Sequence, residues 1–468
     1  MLNEKCGVFG IFGEGLDVSR LSFYGLFSIQ HRGQEATGIA VADGYGIAHH
    51  KGSGLVTQVY SEDNISQLKG HIGIGQNLYS TCKVSNRNHI QPVIVKNGLL
   101  ALSHNGNLPS TKALQVFLTE RGVDTSDHND SELMAEAIAY YMRQGKKLPE
   151  AVEAAYPLFT GAFSILVMDK HSLVAARDAY GIRPLAMARI NNSSGAHGVV
   201  FSSETCSFHT IGAKFEREVA PGEMIVIDED GERSVQLEAG RTKLDIFEFV
   251  YFSRPDSVLL GESVYEVRKR SGAELAREYP LNIDIVIPVP DTAVPAAIGY
   301  ATALGVPMEM ALTKNRYIHR TFIQPDQHLR ELGVKLKLTP LYELIKGKRV
   351  ALLDDSIVRG TTSQQIVRTL FEAGATEVHF LVGSPPVKFP DFYGIDTPVQ
   401  RDLIGATKSA KEIEEYIGAT SLHYLSLEGL IRATGLSAAD FCTSCFTGEY
   451  PLDIQERAKE VCFDLAHQ

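Results

Sequence analysis

The chain contains no tryptophan, only six cysteines in 468 residues, and no excess of positive charge. Six thiols spread over that length cannot frame small disulfide-stapled domains, and they read as the reduced thiols of a cytoplasmic protein. Asp and Glu number 56 against 45 Lys and Arg, a formal net charge of −11. Binding to a phosphate backbone needs clustered cations, so a general nucleic-acid binder is excluded, although a local basic site is not. No apolar run is long enough to cross a bilayer, and Met1-Leu-Asn-Glu-Lys5 lacks the apolar stretch of a signal peptide. No membrane partner is expected. A Gly-x-x-x-x-Gly-Lys-Ser/Thr phosphate loop is also missing, which removes the P-loop nucleotidases.

What remains is a chain of ordinary composition, long enough for two or three domains with sizeable cores. Its first half reads as short strands with interspersed helices. Strands are expected at Cys6–Phe12, Gly38–Val41, Ile72–Gly75, Gly98–Ser103, Phe163–Met168 and Gly198–Ser202, with helical periodicity over Ser131–Met142 and Leu148–Leu158. Strands that pair without long crossovers suggest an α+β sandwich. The polar segment Asp228–Thr242 reads as the domain boundary. Beyond it the rhythm becomes strand–helix–strand. Ile283–Val289, helix Ala296–Leu304 and Pro307–Leu312 form one unit. Lys348–Leu353, a helix after Thr362 and Glu377–Val382 form another, which predicts a parallel α/β sheet. Lys314–Leu338, with Arg316, Arg320, Arg330, Lys335 and Lys337, reads as a basic lid, and the tail from Lys408 as mostly helical.

The most informative stretch is Val350-Ala-Leu-Leu-Asp-Asp-Ser-Ile-Val-Arg-Gly-Thr-Thr-Ser363. An adjacent Asp pair alone is usually a solvated turn. Here a buried strand precedes it and a hydroxyl-rich helix start follows, and each part suits one piece of a phosphorylated sugar. Asp354 and Asp355 can accept hydrogen bonds from a ribose diol. The N–H groups of a helix N-terminus, with Ser356, Arg359, Gly360, Thr361, Thr362 and Ser363, suit a phosphate. The turn Val289-Pro-Asp-Thr-Ala293, at another strand end, offers a second place for pyrophosphate.

This segment is similar to the phosphoribosyl pyrophosphate signature of type I phosphoribosyltransferases. Tyr251-Phe-Ser-Arg-Pro-Asp-Ser257, Lys314-Asn-Arg-Tyr317, Arg320-Thr-Phe-Ile323 and Phe392-Tyr-Gly-Ile-Asp396 extend the likeness. In the first half Cys6-Gly-Val-Phe-Gly-Ile-Phe-Gly13, Gln30-His-Arg-Gly-Gln-Glu35, His104-Asn-Gly-Asn-Leu108, Asp130-Ser-Glu132 and Arg177-Asp-Ala-Tyr-Gly-Ile-Arg-Pro-Leu185 resemble N-terminal-nucleophile glutaminases. Together they resemble, over nearly the whole chain, the glutamine phosphoribosylpyrophosphate amidotransferase family, which opens de novo purine synthesis.

That resemblance implies a leader (1–5) that is removed, an αββα glutaminase domain (6–235), a phosphoribosyltransferase domain (245–405) and a mostly helical C-terminal extension (406–468). It implies Cys6 as nucleophile with its freed α-amine as base, and Asn105 and Gly106 as the oxyanion site. Arg32, Gly33, Thr81 and Asp130 would hold glutamine. Phosphoribosyl pyrophosphate would be held by Asp291, Lys314, Arg320, Lys337 and the residues from Asp354 to Ser356 and Arg359 to Ser363. Thr292, Asp354 and Asp355 would face Mg²⁺. Ammonia would pass between the sites under a closed lid, and purine nucleotides would act as feedback inhibitors. A homo-oligomer, dimer or tetramer, is also implied.

Two departures stand out. Gly75-Gln-Asn-Leu-Tyr-Ser-Thr81 puts Leu78 where the family has an arginine that grips the glutamine carboxylate. An uncharged side chain forms no bidentate ion pair, so Arg87 or Arg32 is a candidate substitute. Cys442-Thr-Ser-Cys445 matches half of the four-cysteine [4Fe–4S] set of some relatives, but Asp245 and Asp391 occupy the other two positions. No cluster is expected. Two other readings stay open: an ammonia-dependent transferase with an impaired glutaminase, and a non-enzymatic regulator that senses phosphoribosyl pyrophosphate.

Overall fold

In the strand Gly7–Phe12 successive side chains leave opposite faces, as a pleated strand requires. Phe9 and Ile11 enter a core with Val18 and Leu26 of helix Val18–Ser28, while Val8 and Phe12 enter a core facing a second sheet. Both faces are buried, so the strand is apolar throughout. The computed structural model describes residues 6–79, 89–193, 195–315, 338–394 and 399–460.

The first half is built from two sheets packed face to face. One has seven strands in the order Lys214–Glu218, Ala186–Asn191, His197–Ser202, Gly7–Phe12, Ile72–Leu78, Ala36–Ala42 and Ile47–Ser53. The other has six, in the order Gly231–Gln236, Glu223–Asp228, Leu173–Arg177, Thr160–Met168, Ala101–Ser110 and Val93–Ile94. Ile72, Ile74 and Phe201 of the first meet Leu166, Met168 and Ile225 of the second across the middle. Helices Lys112–Thr119, Asp130–Arg143 and Leu148–Ala155 cover the outer face of the second sheet through Leu118, Leu133, Ile138 and Val152. The result is the four-layer αββα sandwich.

The second half carries a four-stranded parallel sheet, ordered Ile285–Pro288, Arg349–Asp354, Glu377–Val382 and Ser421–Tyr424. Along Arg349–Asp354, Val350 and Leu352 face one core, and Ala351 and Leu353 the other. Helices Val264–Glu278 and Val294–Leu304 lie over one face and Thr361–Glu372 over the other. This is the doubly covered arrangement expected of parallel strands.

Three expectations need correction. Gly231–Gln236, placed inside the boundary segment, is the outer strand of a hairpin with Glu223–Asp228. Being an edge strand, it has little to bury and reads as linker. Pro307–Leu312 is no strand of the main sheet: it touches that sheet through a single bridge, Val286 to Met308, and Met310 is exposed. The chain then leaves to pair Leu312–Lys314 with Leu338–Pro340. The tail supplies the fourth parallel strand, Ser421–Tyr424, so the second half extends past 405. Four residues alternating Leu422 and Tyr424 inward are too short to stand out among helices.

Candidate functional site

Cys6 sits at the mouth of the first strand, where its Sγ donates to the Tyr79 carbonyl at 3.8 Å. Burial pushes the thiol up to about 11, with Asp130 and Glu35 adding to the rise and Arg32 opposing it. At neutral pH it is a thiol rather than a thiolate, so attack on a carbonyl requires a base to take the proton.

Around the thiol stand the other residues singled out in the first half. The Ser203 hydroxyl accepts from the Val8 N–H at 3.0 Å and from the Asn105 amide at 3.3 Å. Asn105 is thereby fixed to backbone two residues beyond the thiol. Gly106 has φ +152°, and a Cβ there would lie 2.0 Å from the Ala162 carbonyl oxygen. Only glycine keeps its N–H in this place. Asp130 opens helix Asp130–Arg143, whose start is fixed by a reciprocal cap between Asn129 and Glu132. Its carboxylate accepts from the Leu108 and Ser131 N–H groups at 3.2 and 2.7 Å and stays partly exposed. His104 lies 3.7 Å from it. Gly33 follows the short turn Gln30–Arg32, packed on the end of strand Ile72–Leu78: a Cβ there would meet the Asn77 carbonyl oxygen at 2.7 Å.

Arg32 does something the sequence did not suggest. Its side chain is 1% exposed. Nε–H donates to the Cys6 carbonyl at 3.3 Å, Nη1 to Glu204, and both Nη atoms to Glu248 at 3.0 and 2.8 Å. The guanidinium is therefore committed to protein groups, and the substitute role in gripping a substrate carboxylate does not fit it. Thr81, Arg87, Arg320 and Lys337, like Met1–Lys5, lie outside the described residues. Leu78 ends its strand partly exposed.

The Arg32 contacts belong to a larger buried network that joins the halves. Glu204 also accepts from His31 Nε2 at 2.7 Å, the Arg254 N–H at 2.9 Å and the Ser257 hydroxyl at 2.8 Å. Glu248 accepts from Arg183 and from the Ser253 hydroxyl at 2.7 Å; Arg183 also donates to Asp245 at 2.8 Å. These charges offset one another away from water. Removing one partner strands the rest and costs about 3–5 kcal/mol. Glu204 and Glu248 were invisible to sequence reasoning, and Arg183 stood out only as part of the Arg177–Leu185 motif, because nothing local marks a buried charge whose partner lies far along the chain.

At the second site, Asp354 ends the parallel strand Arg349–Asp354 and Asp355 follows it, at the carboxyl edge where ligands of such sheets bind. Asp354 Oδ1 accepts from the Asp355 N–H at 2.9 Å, and Asp355 Oδ1 from the Ser356 hydroxyl at 2.9 Å. Desolvation, with Asp355 beside it, raises the Asp354 carboxyl well above the usual range; desolvation likewise raises that of Asp355 to about 6. Gly360, at φ +75°, caps helix Thr361–Glu372. Ser363 is buried, Thr362 partly so, and Arg359 and Thr361 are exposed. Lys314 Nζ donates to Asp291 at 2.9 Å, beside Thr292. Arg268, missed in the sequence, is buried against the same region and donates to the Phe249 and Ser253 carbonyls at 2.7 and 2.8 Å. Burial lowers its guanidinium to about 10, with Asp355 pulling the other way.

A cavity of about 360 Å³ lies between the halves. His31, Arg32 and Gln34 line it from one side, and Arg268, Asp291, Thr292 and Lys314 from the other. A narrower cavity carries Arg268 and Thr292 on to Asp355. The halves also touch at strand Ala101–Ser110: Asn107 Nδ2 donates to the Phe392 carbonyl at 2.7 Å, and a Cβ at Gly394 would lie 3.4 Å from Gly106.

Cys442 and Cys445 are buried, and burial pushes both thiols up, with Asp245 and Asp391 adding to the rise. Leu244–Asp245 pairs in parallel with Phe441–Cys442. The four side chains thus meet in one place. The donor set does not fit an iron–sulfur cluster: Asp245 is ion-paired with Arg183, Asp391 accepts from the Tyr393 N–H at 2.9 Å, and Cys442 donates to Ser444. Among the described residues no group of three or more His, Cys, Asp or Glu is arranged to hold a metal ion, and no helix is long and apolar enough to cross a membrane.

Comparison with known proteins matches both halves. A glutamine amidotransferase domain model matches residues 79–210 and a phosphoribosyl transferase domain model residues 262–383. The amidophosphoribosyltransferase of Synechococcus elongatus is 46% identical over 459 residues, covering 97% of this chain and 93% of that protein. The Bacillus subtilis amidophosphoribosyltransferase is 42% identical over 464 residues, covering 97% and 96%. The solved structure of the B. subtilis glutamine phosphoribosylpyrophosphate amidotransferase, complexed with ADP and GMP, superposes with a TM-score of 0.88 at 42% identity, covering 96% of this chain and 98% of that one.

Proposed function

The chain belongs to the amidophosphoribosyltransferase family, the enzymes of the first step of purine biosynthesis, and we propose that its two halves divide that reaction between a thiol site and a phosphoribosyl site. Glutamine is hydrolysed at Cys6. The freed α-amine takes the thiol proton, sulfur attacks the amide carbon, and the Asn105 amide with the Gly106 N–H holds the oxyanion. Asp130 holds the substrate ammonium. Ammonia leaves, water releases glutamate, and ammonia moves through the inter-half cavity to displace pyrophosphate from phosphoribosyl pyrophosphate, giving 5-phosphoribosylamine. The cavity running from Arg32 to Thr292 and Lys314 is the observation that carries this reading. It reaches from Arg32, which holds the Cys6 carbonyl, to Asp291, Thr292 and Lys314, and a direct passage there would limit protonation of ammonia in bulk water.

At the second site Asp354 and Asp355 accept the ribose hydroxyls, and the Ser356 to Ser363 turn holds the 5-phosphate. Asp291, Thr292 and Lys314 attend the pyrophosphate, with Arg320 and Lys337 assigned to the lid. Two adjacent carboxylates and the Thr292 hydroxyl are hard oxygen donors that suit Mg²⁺ shared with substrate phosphates. Bound with the sugar, Mg²⁺ would neutralise charge on the leaving pyrophosphate. The cytoplasm is the compartment this chemistry suits, the Cys442/Cys445 pair stays as buried thiols without a cluster, and a homo-oligomer is the assembled form. Purine nucleotides, which share the ribose phosphate, are the feedback inhibitors; the B. subtilis relative was solved with ADP and GMP. Retained Cys6, Asn105, Gly106 and Asp130 favour a working glutaminase despite Leu78.

The test is pyrophosphate release from phosphoribosyl pyrophosphate with glutamine or ammonium as donor. Both donors should support turnover with Mg²⁺, and chelation should abolish it with either. Release with ammonium alone would leave only the transferase half of the reading.

A further inference from the structure

The nucleophile's carbonyl is held by a group that is itself held by the other half of the molecule. Arg32 Nε–H reaches the Cys6 carbonyl at 3.3 Å, and the far end of the same guanidinium is gripped by both oxygens of Glu248. Glu248 belongs to the turn Glu248–Phe252, whose Phe247 and Phe249 neighbours pack into the core of the second half. It is 0% exposed, and its second oxygen also takes the Ser253 hydroxyl at 2.7 Å. The Ser253 carbonyl in turn accepts from Arg268, which shares a cavity with Thr292 and Asp355. A guanidinium is a planar fork that a bidentate carboxylate fixes in orientation as well as position. Turning that fork turns the Nε–H that holds the Cys6 backbone.

We propose that Glu248, contributed by the phosphoribosyl half, is a positioning residue of the thiol site, acting through Arg32 to set where the Cys6 backbone and thiol stand. The inference rests on the proposed role of Cys6. It assigns no contact with substrate to Glu248. Its consequence is that the glutaminase needs the second half for geometry as well as for a consumer of ammonia.

The experiment uses the full-length chain carrying Glu248→Gln, which keeps shape and one acceptor oxygen while removing the charge and the symmetric grip. Glutamate release should fall at least tenfold, through kcat more than KM, and covalent labelling of Cys6 by an electrophilic glutamine analogue should slow in parallel. Ammonia-dependent pyrophosphate release should hold within twofold, and Glu248→Asp should recover part of the loss. Ser253→Ala, which removes one bond to Glu248 and leaves the charges intact, should shift both thiol readouts in the same direction by a smaller factor; it decides the matter if Glu248→Gln fails to fold. Unchanged labelling and glutamate release in the folded variants would overturn the proposal, as would loss of both half-reactions together. Labelling that never requires Cys6 in the unsubstituted chain would instead overturn the reading of the thiol site itself.

Discussion

Cys6→Ala is expected to lose glutamine-dependent synthesis by a factor on the order of 10⁴ or more, the scale at which removing a covalent nucleophile acts. Synthesis from ammonium is expected to persist at roughly its original rate. The two outcomes separate because Cys6 lies at the head of a strand in the αββα sandwich, while Asp354 and Asp355 end a strand of a different sheet with its own cores. Among the described residues Arg32 reaches Cys6 from the interface, and it holds the Cys6 main-chain carbonyl, which alanine retains. Pyrophosphate release with each donor, at alkaline pH where more of the ammonia is unprotonated, is the measurement. If both rates vanish in a variant that still unfolds cooperatively, the division between the halves is wrong.

The second large effect runs the other way. Asp355→Asn is expected to lower synthesis from both donors by about 10²–10³-fold, the cost of removing one preorganised electrostatic group. Glutamate release from Cys6 should continue. Stability should not suffer. Asp355 stands beside a second carboxyl, and within the chain its side chain accepts from the neighbouring Ser356 hydroxyl, a bond an amide oxygen also takes. Replacing one of two adjacent acids relieves repulsion in a partly enclosed loop, so the thermal midpoint should equal or exceed that of the unsubstituted chain. This is the usual trade between active-site charge and stability. A variant with full synthesis from ammonium would show that the acid pair has no part in holding the sugar.

How much of this was legible in the sequence follows from how local each signal is. The strand, acid pair and glycine-threonine turn of Val350–Ser363 are contiguous, and they sit in the structure as a strand, its carboxyl edge and a helix start. Asn105, Gly106 and Asp130 were singled out through the family resemblance of the short runs that hold them, His104–Leu108 and Asp130–Glu132. Arg32 was readable as a residue of the site but not in its contacts: its fate is decided by Glu248, 216 residues away, and Glu204, 172 residues away. No local period marks a charge that will be buried and paired across a domain junction. The hairpin strand Gly231–Gln236 and the tail strand Ser421–Tyr424 escaped for a related reason. One is a polar edge and the other very short, and only neighbours distant in sequence make them strands.

The most direct measurement is the fate of the amide nitrogen. The enzyme turns over ¹⁵N-amide glutamine, Mg²⁺ and phosphoribosyl pyrophosphate in an excess of unlabelled ammonium, and the 5-phosphoribosylamine is trapped and analysed by mass. Passage through the cavity between His31 and Thr292 predicts product carrying ¹⁵N well above the isotope ratio of the solution. Product whose nitrogen matches the bulk pool would contradict it, because the two sites would then share a chain without sharing a reaction.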